Sequence, residues 1–397
     1  MTFTAASVLH TGDVDRAAAE VIAAIGESLG RPVDLLVVFF SSDYVGQIES
    51  LSAELQRQLQ PRVMLGAQGE AIVGRGEEIE ERPALSVWAA SLPGVPLHSM
   101  HLRWERTPDG GVFSGWPADL AESWPDEASL IVLGDPFSFP ADALLERMAE
   151  DHADCVVAGG MASGAQAPGQ LRLLRDGQVL DQGAVAVLIE RPARLRCVVS
   201  QGCRPIGEPM IVTKAERNVI LELGGQPALE RLETLFHSLP NHEQALVQRG
   251  LHLGRVINEY QDAFEAGDFL IRNVTGLDPD TGAVVVGDYF RVGQTVQFHL
   301  RDESSASREL NQLLEAAAGQ PGQPSGGLLF TCNGRGTRMF EQPHHDASAV
   351  ERHFPGLPLA GLFAMGEIGP VGGKSFMHGF TACLALLQHV DARADTQ

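Results

Sequence analysis

The chain reads as an α/β protein built from repeated β-α-β-β units, its sheets covered by helices, with an antiparallel, hairpin-rich insertion in the second half. Three observations predict this. Apolar, β-branched runs of strand length alternate with amphipathic stretches whose apolar residues fall at helical spacing. That order returns three times. Between the second and third occurrence, short β-like runs bounded by Gly, Asp and Pro take over.

In the first unit, VDLLVVFF (33–40) is a strand, YVGQIESLSAELQRQLQ a helix, RVMLGAQGEAIVG a short strand ending in Gly, and ALSVWAASL a further strand. Residues 1–30 read as a helical lead-in. The second unit runs ASLIVLGD, PADALLERMAEDH, CVVAGGMASG, a turn-rich LRDGQVLDQG and AVAVLIE. The third runs GLLFTCNGRG, a helix near Ala347 to Phe354, PLAGLFAMGEIGP and HGFTACLALLQH. Self-similarity of this kind points to duplication of one supersecondary unit. The runs at 33–40, 130–133, 155–158, 328–331 and 359–364 are the expected core.

From 203 to 300, GEPMIVT, NVILEL, HLGRVI, DFLIRNVTG and AVVVGD read as short antiparallel strands. DPDTG (278–282) is a turn: Pro presets φ, Asp bonds locally, and Gly tolerates the left-handed region. A boundary near 195–205 divides the chain into domains at 31–200 and 201–392. AGQPGQPSGG (318–327) has linker composition but runs straight into a strand, so it is a surface loop.

At 397 residues the chain exceeds a typical single core, so two domains are the expectation. The 51 acidic against 29 basic residues give a net charge of -22, which disfavours nucleic acid and anionic membrane as partners. No apolar run has membrane-spanning length, so no membrane insertion is expected. The N-terminus lacks a basic n-region, so the cytoplasm is the expected location. Five cysteines without CxxC spacing argue for free thiols, against a disulfide framework or a zinc site.

The chemistry gathers at 328–379, where two apolar runs break into Gly with polar neighbours. Cys332, Asn333, Arg335 and Arg338 flank the first break, Gly366, Glu367 and Lys374 the second. In open α/β sheets ligands sit where loops diverge at the carboxyl ends of strands. Here those ends are Ser41–Tyr44, Gln68–Glu70, Asp135–Phe139, Gly160–Ser163, Asn333–Arg338 and Gly366–Gly369. Arg335 and Arg338 carry planar forks suited to a carboxylate or phosphate, and Glu367 can pair with an ammonium. An Arg and a Glu face to face match both ends of an amino acid. They can equally neutralise each other. Arg204, extended by the following Pro205, can reach a pocket at the domain junction or sit in solvent.

CNGRG lacks the spacing of a P-loop, so no nucleotide cofactor is expected, nor any other. His344, His345, Asp346 and His353 are the densest metal-like cluster, but adjacent histidines point different ways and Asp346 is placed to cap the following helix, so no metal is expected. Cys332 beside Arg335, with His378 as base, is an alternative catalytic pair for a hydrolase or transferase. Its counterpart is a half-buried thiol and a histidine at a strand end.

Taken together, GCRPIGEPMIVTKAERNVILELGGQPALE, DFLIRNVTGLDPDTGAVVVGD, LLFTCNGRG and LAGLFAMGEIGP resemble the FIST family, with its paired N-terminal and C-terminal domains, over about residues 30 to 390. The resemblance implies a sensory, small-ligand-binding role, with amino acids or related small carboxylates as the ligand class. Members occur as free-standing bacterial proteins or joined to signalling modules or an F-box. No such module is read in this sequence, so the expected output passes through a separate protein partner. A pure interaction scaffold without a small ligand is the further alternative. The sequence sets neither the ligand nor the oligomeric state.

Overall fold

The computed structural model describes residues 3–108, 110–261, 264 and 266–390. Residues 391 and 392 of the second sequence domain therefore lie outside the described residues. By contact the chain forms two compact units. One comprises the described residues of Met1–Val199, Leu310–Pro370 and Lys374–Gln397, the other Ser200–Glu309 and Val371–Gly373.

The first unit uses one strand plan three times. Its first copy is β1 (Thr4–His10), α1 (Ala17–Leu29), β2 (Leu35–Phe40), α2 (Ile48–Leu59), β3 (Val63–Gln68), the hairpin β4 (Ile72–Gly74) and β5 (Glu77–Ile79), then β6 (Leu85–Ser91). The second is β7 (Leu97–Thr107), β8 (Gly110–Ser114), α3 (Ala118–Glu122), β9 (Ser129–Gly134), α4 (Ala141–Asp151), β10 (Val156–Met161), the hairpin β11 (Leu173–Arg175) and β12 (Gln178–Leu180), then β13 (Ala184–Ile189). The third opens with β14 (Ala193–Ser200) and is interrupted by β15 (Cys203–Glu216), β16 (Val219–Leu223), β17 (Gln226–Pro227), α5 (Ala228–Ser238), α6 (Asn241–Arg249), β18 (Leu251–Val256), β19 (Phe269–Asp278), β20 (Ala283–Val286) and β21 (Thr295–Arg301). It resumes with α7 (Glu303–Ala318), β22 (Gly326–Cys332), α8 (His345–His353), β23 (Leu359–Ala364), the hairpin β24 (Glu367–Val371) and β25 (Lys374–His378), and β26 (Ala382–His389).

In each copy the two core strands are parallel and the last strand is antiparallel to the first: β6-β2-β3, β13-β9-β10 and β26-β22-β23. Each hairpin leaves its own sheet. The β4/β5 hairpin extends the third sheet through β23, β11/β12 extends the first through β3, and β24/β25 extends the second through β10. The exchange is cyclic, so every sheet is completed by another copy.

This explains the uninterrupted apolar runs. Strands buried on both faces need apolar residues at every position. Leu35, Val37 and Phe39 enter one core shared with Ile131, Leu133, Leu328 and Phe330 of the other sheets, while Leu36, Val38 and Phe40 pack under α1 and α2. The expected core runs are buried, except that Val156 is partly exposed. Helices α3 and α4 cover the second sheet, and α8 with the C-terminal half of α7 covers the third.

The second unit is a seven-stranded sheet, β15-β21-β18-β19-β20-β16-β17, with antiparallel pairings. The 278–282 turn works as read: Asp278 Oδ1 accepts from Asp280 N at 3.0 Å, Thr281 Oγ1 donates to Asp278 Oδ2 at 2.7 Å, and Gly282 has φ +69°. Helices α5 and α6 were not anticipated. The 1–30 lead-in contains a helix at Ala17–Leu29, but its first part differs from the reading, because Thr4–His10 is a strand running antiparallel to β6. Its alternating half-burial gives no continuous apolar run to read. Among the described residues no helix is long and apolar enough to cross a membrane.

Candidate functional site

The three core sheets solve the same local problem at the carboxyl end of their first strand. The backbone N–H there donates to the carbonyl just before the sheet's last strand: Ser41 to Ala84 (2.9 Å), Asp135 to Gly183 (2.8 Å) and Cys332 to Thr381 (3.0 Å). The N–H of the receiving residue then needs an acceptor of its own. In the first two sheets it finds a hydroxyl, with Ala84 N donating to Ser41 Oγ and Gly183 N to Ser138 Oγ. In the third it finds a carboxyl, with Thr381 N donating to Glu367 Oε2 at 3.1 Å.

Around that third end lies a buried lattice of charge. Arg335, fully buried, donates from Nε to Asp346 Oδ2 (2.6 Å), from Nη2 to Asp346 Oδ1 (2.8 Å) and from Nη1 to the Phe380 carbonyl (3.3 Å). Its guanidinium lies 5.2 Å from the ring centre of Phe340, which stacks on His345 at 3.5 Å. Thr331 Oγ1 donates to Asp346 Oδ2, and His345 Nδ1 lies 2.8 Å from Oδ1. Burial opposes ionisation of Asp346, but the charge and hydrogen bonds of Arg335, with those of His345 and Thr331, outweigh it and hold the carboxyl below its ordinary range. Gly336 makes the turn possible: its φ is +57°, and a Cβ there would come within 2.7 Å of Glu80 and the Phe363 ring.

Asp346 does not cap α8, contrary to the sequence expectation. It sits in the first turn with its carboxylate on Arg335, and Glu78 from the β4/β5 hairpin caps the helix instead. Glu78 Oε1 accepts from Asp346 N (2.8 Å) and Ala347 N (2.9 Å). Burial and the Asp346 charge push the Glu78 carboxyl up to about 8. Burial does the same for Glu367, also to about 8, against hydrogen bonds from Thr381 N and the Cys332 thiol.

Above this lattice three strand ends meet. Gly69 and Glu70 follow β3, Ser163 follows β10, and Asn333 to Arg338 follow β22. Glu70 N donates to Ser163 Oγ (2.7 Å), Ser163 N to the Gln68 carbonyl (3.0 Å) and Asn333 N to the Ala364 carbonyl (3.1 Å). Arg338 donates from Nη1 to the Asn333 carbonyl (2.9 Å) and pairs through Nη2 with Glu70. This pair is open to solvent, Arg338 at 58% and Glu70 at 38% side-chain exposure. Thr337 bonds Glu80 beside it through both N and Oγ1. Ser41–Tyr44 and Asp135–Phe139 bond back to the last strands of their own sheets.

The sequence candidates thus occupy distinct environments. Asn333 and Arg338 sit in the exposed cluster. Arg335 forms a mutual ion pair, with Asp346 rather than Glu367, and Glu367 lies against Thr381 and Cys332. Gly366, φ +139°, packs between β10 and β25, where a Cβ would meet Met161 and Met377 at 3.3 Å. Lys374 is exposed at the start of β25. Arg204 belongs to the second unit, bonded to Asp302 (3.1 Å) and Glu243 (2.8 Å). Cys332, half-buried, bonds Gly334 N and Glu367, while His378 Nε2 lies 2.9 Å from the Gly369 carbonyl; neither bond joins the two. Sequence reasoning missed Glu78, which sits in an acid-rich stretch that reads as a solvated turn.

The FIST N domain pattern matches residues 34–226 and the FIST C domain pattern matches 228–370. An uncharacterized protein of Mycobacterium tuberculosis is 45% identical over 377 residues, covering 94% of this chain and 96% of its own length. An uncharacterized protein of Mycobacterium bovis is 40% identical over 381 residues, 96% of this chain and 97% of its own. An Arabidopsis thaliana F-box/LRR-repeat protein is 33% identical over 105 residues, 25% of this chain and 20% of its own.

Proposed function

The chain belongs to the FIST family, whose domains are generally regarded as small-ligand-binding sensory domains of signal transduction, and on that premise we propose that its ligand is an amino acid or related small carboxylate held at the Arg338–Glu70 cluster. One observation carries this reading. A guanidinium and a carboxylate, exposed and paired only with close neighbours, stand where three strand ends meet on a rigid buried lattice. An exposed ion pair is worth about 0–1 kcal/mol, so a ligand bearing both charges can replace it at little cost. Arg338 then takes the ligand's carboxylate, Glu70 its ammonium, and the Asn333 carbonyl a further donor. Arg335, Asp346, Glu78, Gly366, Glu367 and Cys332 hold the loop in place, and the signal leaves through a separate protein partner. The enzyme reading has less support, because the Nε2 of His378, its base, lies on the Gly369 carbonyl at 2.9 Å, while the Cys332 sulfur bonds Gly334 N and Glu367.

A thermal-shift screen of the purified protein against the amino acids and small carboxylates tests this. A true ligand at 100 to 1,000 times its dissociation constant adds about 3 to 4 kcal/mol. The shift is expected to vanish in Arg338→Gln and Glu70→Gln. A shift that survives both substitutions places the ligand elsewhere.

A further inference from the structure

The helix that precedes the first core strand differs sharply among the three copies. It has 13 residues in α1 and 16 in α7, but five in α3. α1 buries Ala17, Val21, Ile25 and Leu29 over its sheet, whereas α3 buries Leu120 alone. Aromatic side chains stand around the space left on the second sheet, and they do not fill it. A cavity of about 540 Å³ remains, within the roughly 300–1,000 Å³ of small-molecule pockets.

Its walls are flat. Trp104 and Phe113 pack at 4.5 Å between ring centres, Trp116 and Trp124 at 5.7 Å, and Trp124 lies parallel on His152 at 3.8 Å. Gly111 is what lets Trp104 lie across β8, since a Cβ there would fall 2.0 Å from the indole. The charged residues of the lining, Arg147 and Asp151, pair at 2.6 Å and carry no net charge between them, so the lining favours neither an anion nor a cation.

We propose that this cavity is a second binding site, for a neutral, flat, fused-ring aromatic molecule that packs against the aromatic rings of its lining. The site is built from the second sheet alone and does not depend on the Arg338–Glu70 reading.

Fluorine NMR of protein labelled with 5-fluorotryptophan tests it, because the chain has four tryptophans and the fourth is an internal control. Trp88 is buried in the shared core and donates to the Pro358 carbonyl. With coumarin as probe, the Trp104, Trp116 and Trp124 signals should move saturably while Trp88 stays fixed. Naphthalene, equally flat and neutral, should move the same three signals. Ala143→Phe, which fills the cavity from half-exposed α4, should weaken coumarin by about tenfold or more while Trp88 keeps its native shift. The proposal is overturned if coumarin leaves the three signals unmoved, if Trp88 moves with them, if Ala143→Phe binds as before, or if tetramethylammonium competes as an aromatic cage for a cation requires.

Discussion

The ends of β2 and β9 differ from the end of β22 in the chemistry that closes the same backbone bond. The first two use Ser41 and Ser138, hydroxyls that accept one N–H each and in turn donate to the carboxylates of Asp43 and Asp135. The third uses Glu367, a buried carboxyl, and sets beside it Arg335, Asp346 and Glu78. The same backbone bond is therefore closed without a carboxyl as the direct acceptor of the N–H. What distinguishes the third end is a buried arginine paired with carboxyls, which costs desolvation and holds in place the loop that carries Asn333 and Arg338.

The largest effect should come from breaking the ion pair that the other ends lack. Arg335→Ala leaves the Asp346 carboxylate without its counter-charge in the interior and should cost about 3–5 kcal/mol in urea unfolding. The Ser138→Ala and Ser41→Ala variants, made at the two hydroxyl-closed ends, should cost about 1–3 kcal/mol each, the penalty of an unsatisfied buried N–H. Equal losses at all three ends would remove the distinction.

Acidity sharpens the comparison next. Folding raises Glu78 and Glu367 from 4.5 to about 8, so the native state holds their protons between those values while the unfolded state releases them. Their contribution is fully present below pH 4.5 and declines as pH rises to about 8, by up to about 1.4 kcal/mol per pH unit for each group. Asp346, depressed, works oppositely, its contribution being lost as pH falls below the ordinary carboxylate range. His252 and His299 in the second unit, lowered to about 4, also lose stability on acidification. The difference between the wild type and Glu367→Gln isolates one carboxyl: the variant should decline less steeply from pH 5 to 8. Matching slopes would show that Glu367 titrates normally.

The smallest stability effect belongs to Arg338→Gln, at about 0–1 kcal/mol. That variant should melt like the parent without ligand and part from it only when ligand is present. A loss as large as that of Arg335→Ala would make Arg338 a structural residue.

The core strands and α2, α4 and α8 were legible because doubly buried strands leave apolar runs and their helices an amphipathic period. The hairpin exchange was not. The short strands Ile72–Gly74 and Glu77–Ile79 carry no periodicity, and nothing in Glu78 marks it as the cap of a helix 268 residues away. The glycines around Arg335 and Arg338 drew attention to this loop, but sequence could not say that one arginine is buried and its neighbour three residues on is exposed. A one-turn helix decides that by pointing the two in opposite directions.

The most direct test is backbone amide NMR of the labelled protein titrated with a pool of amino acids. If the charged third end is the sensory site, shifts should concentrate at Glu70, Asn333 and Arg338 and leave Ser41–Tyr44 and Asp135–Phe139 in place. Shifts centred on Ser41–Tyr44 or Asp135–Phe139, or none in any of the three, would contradict it.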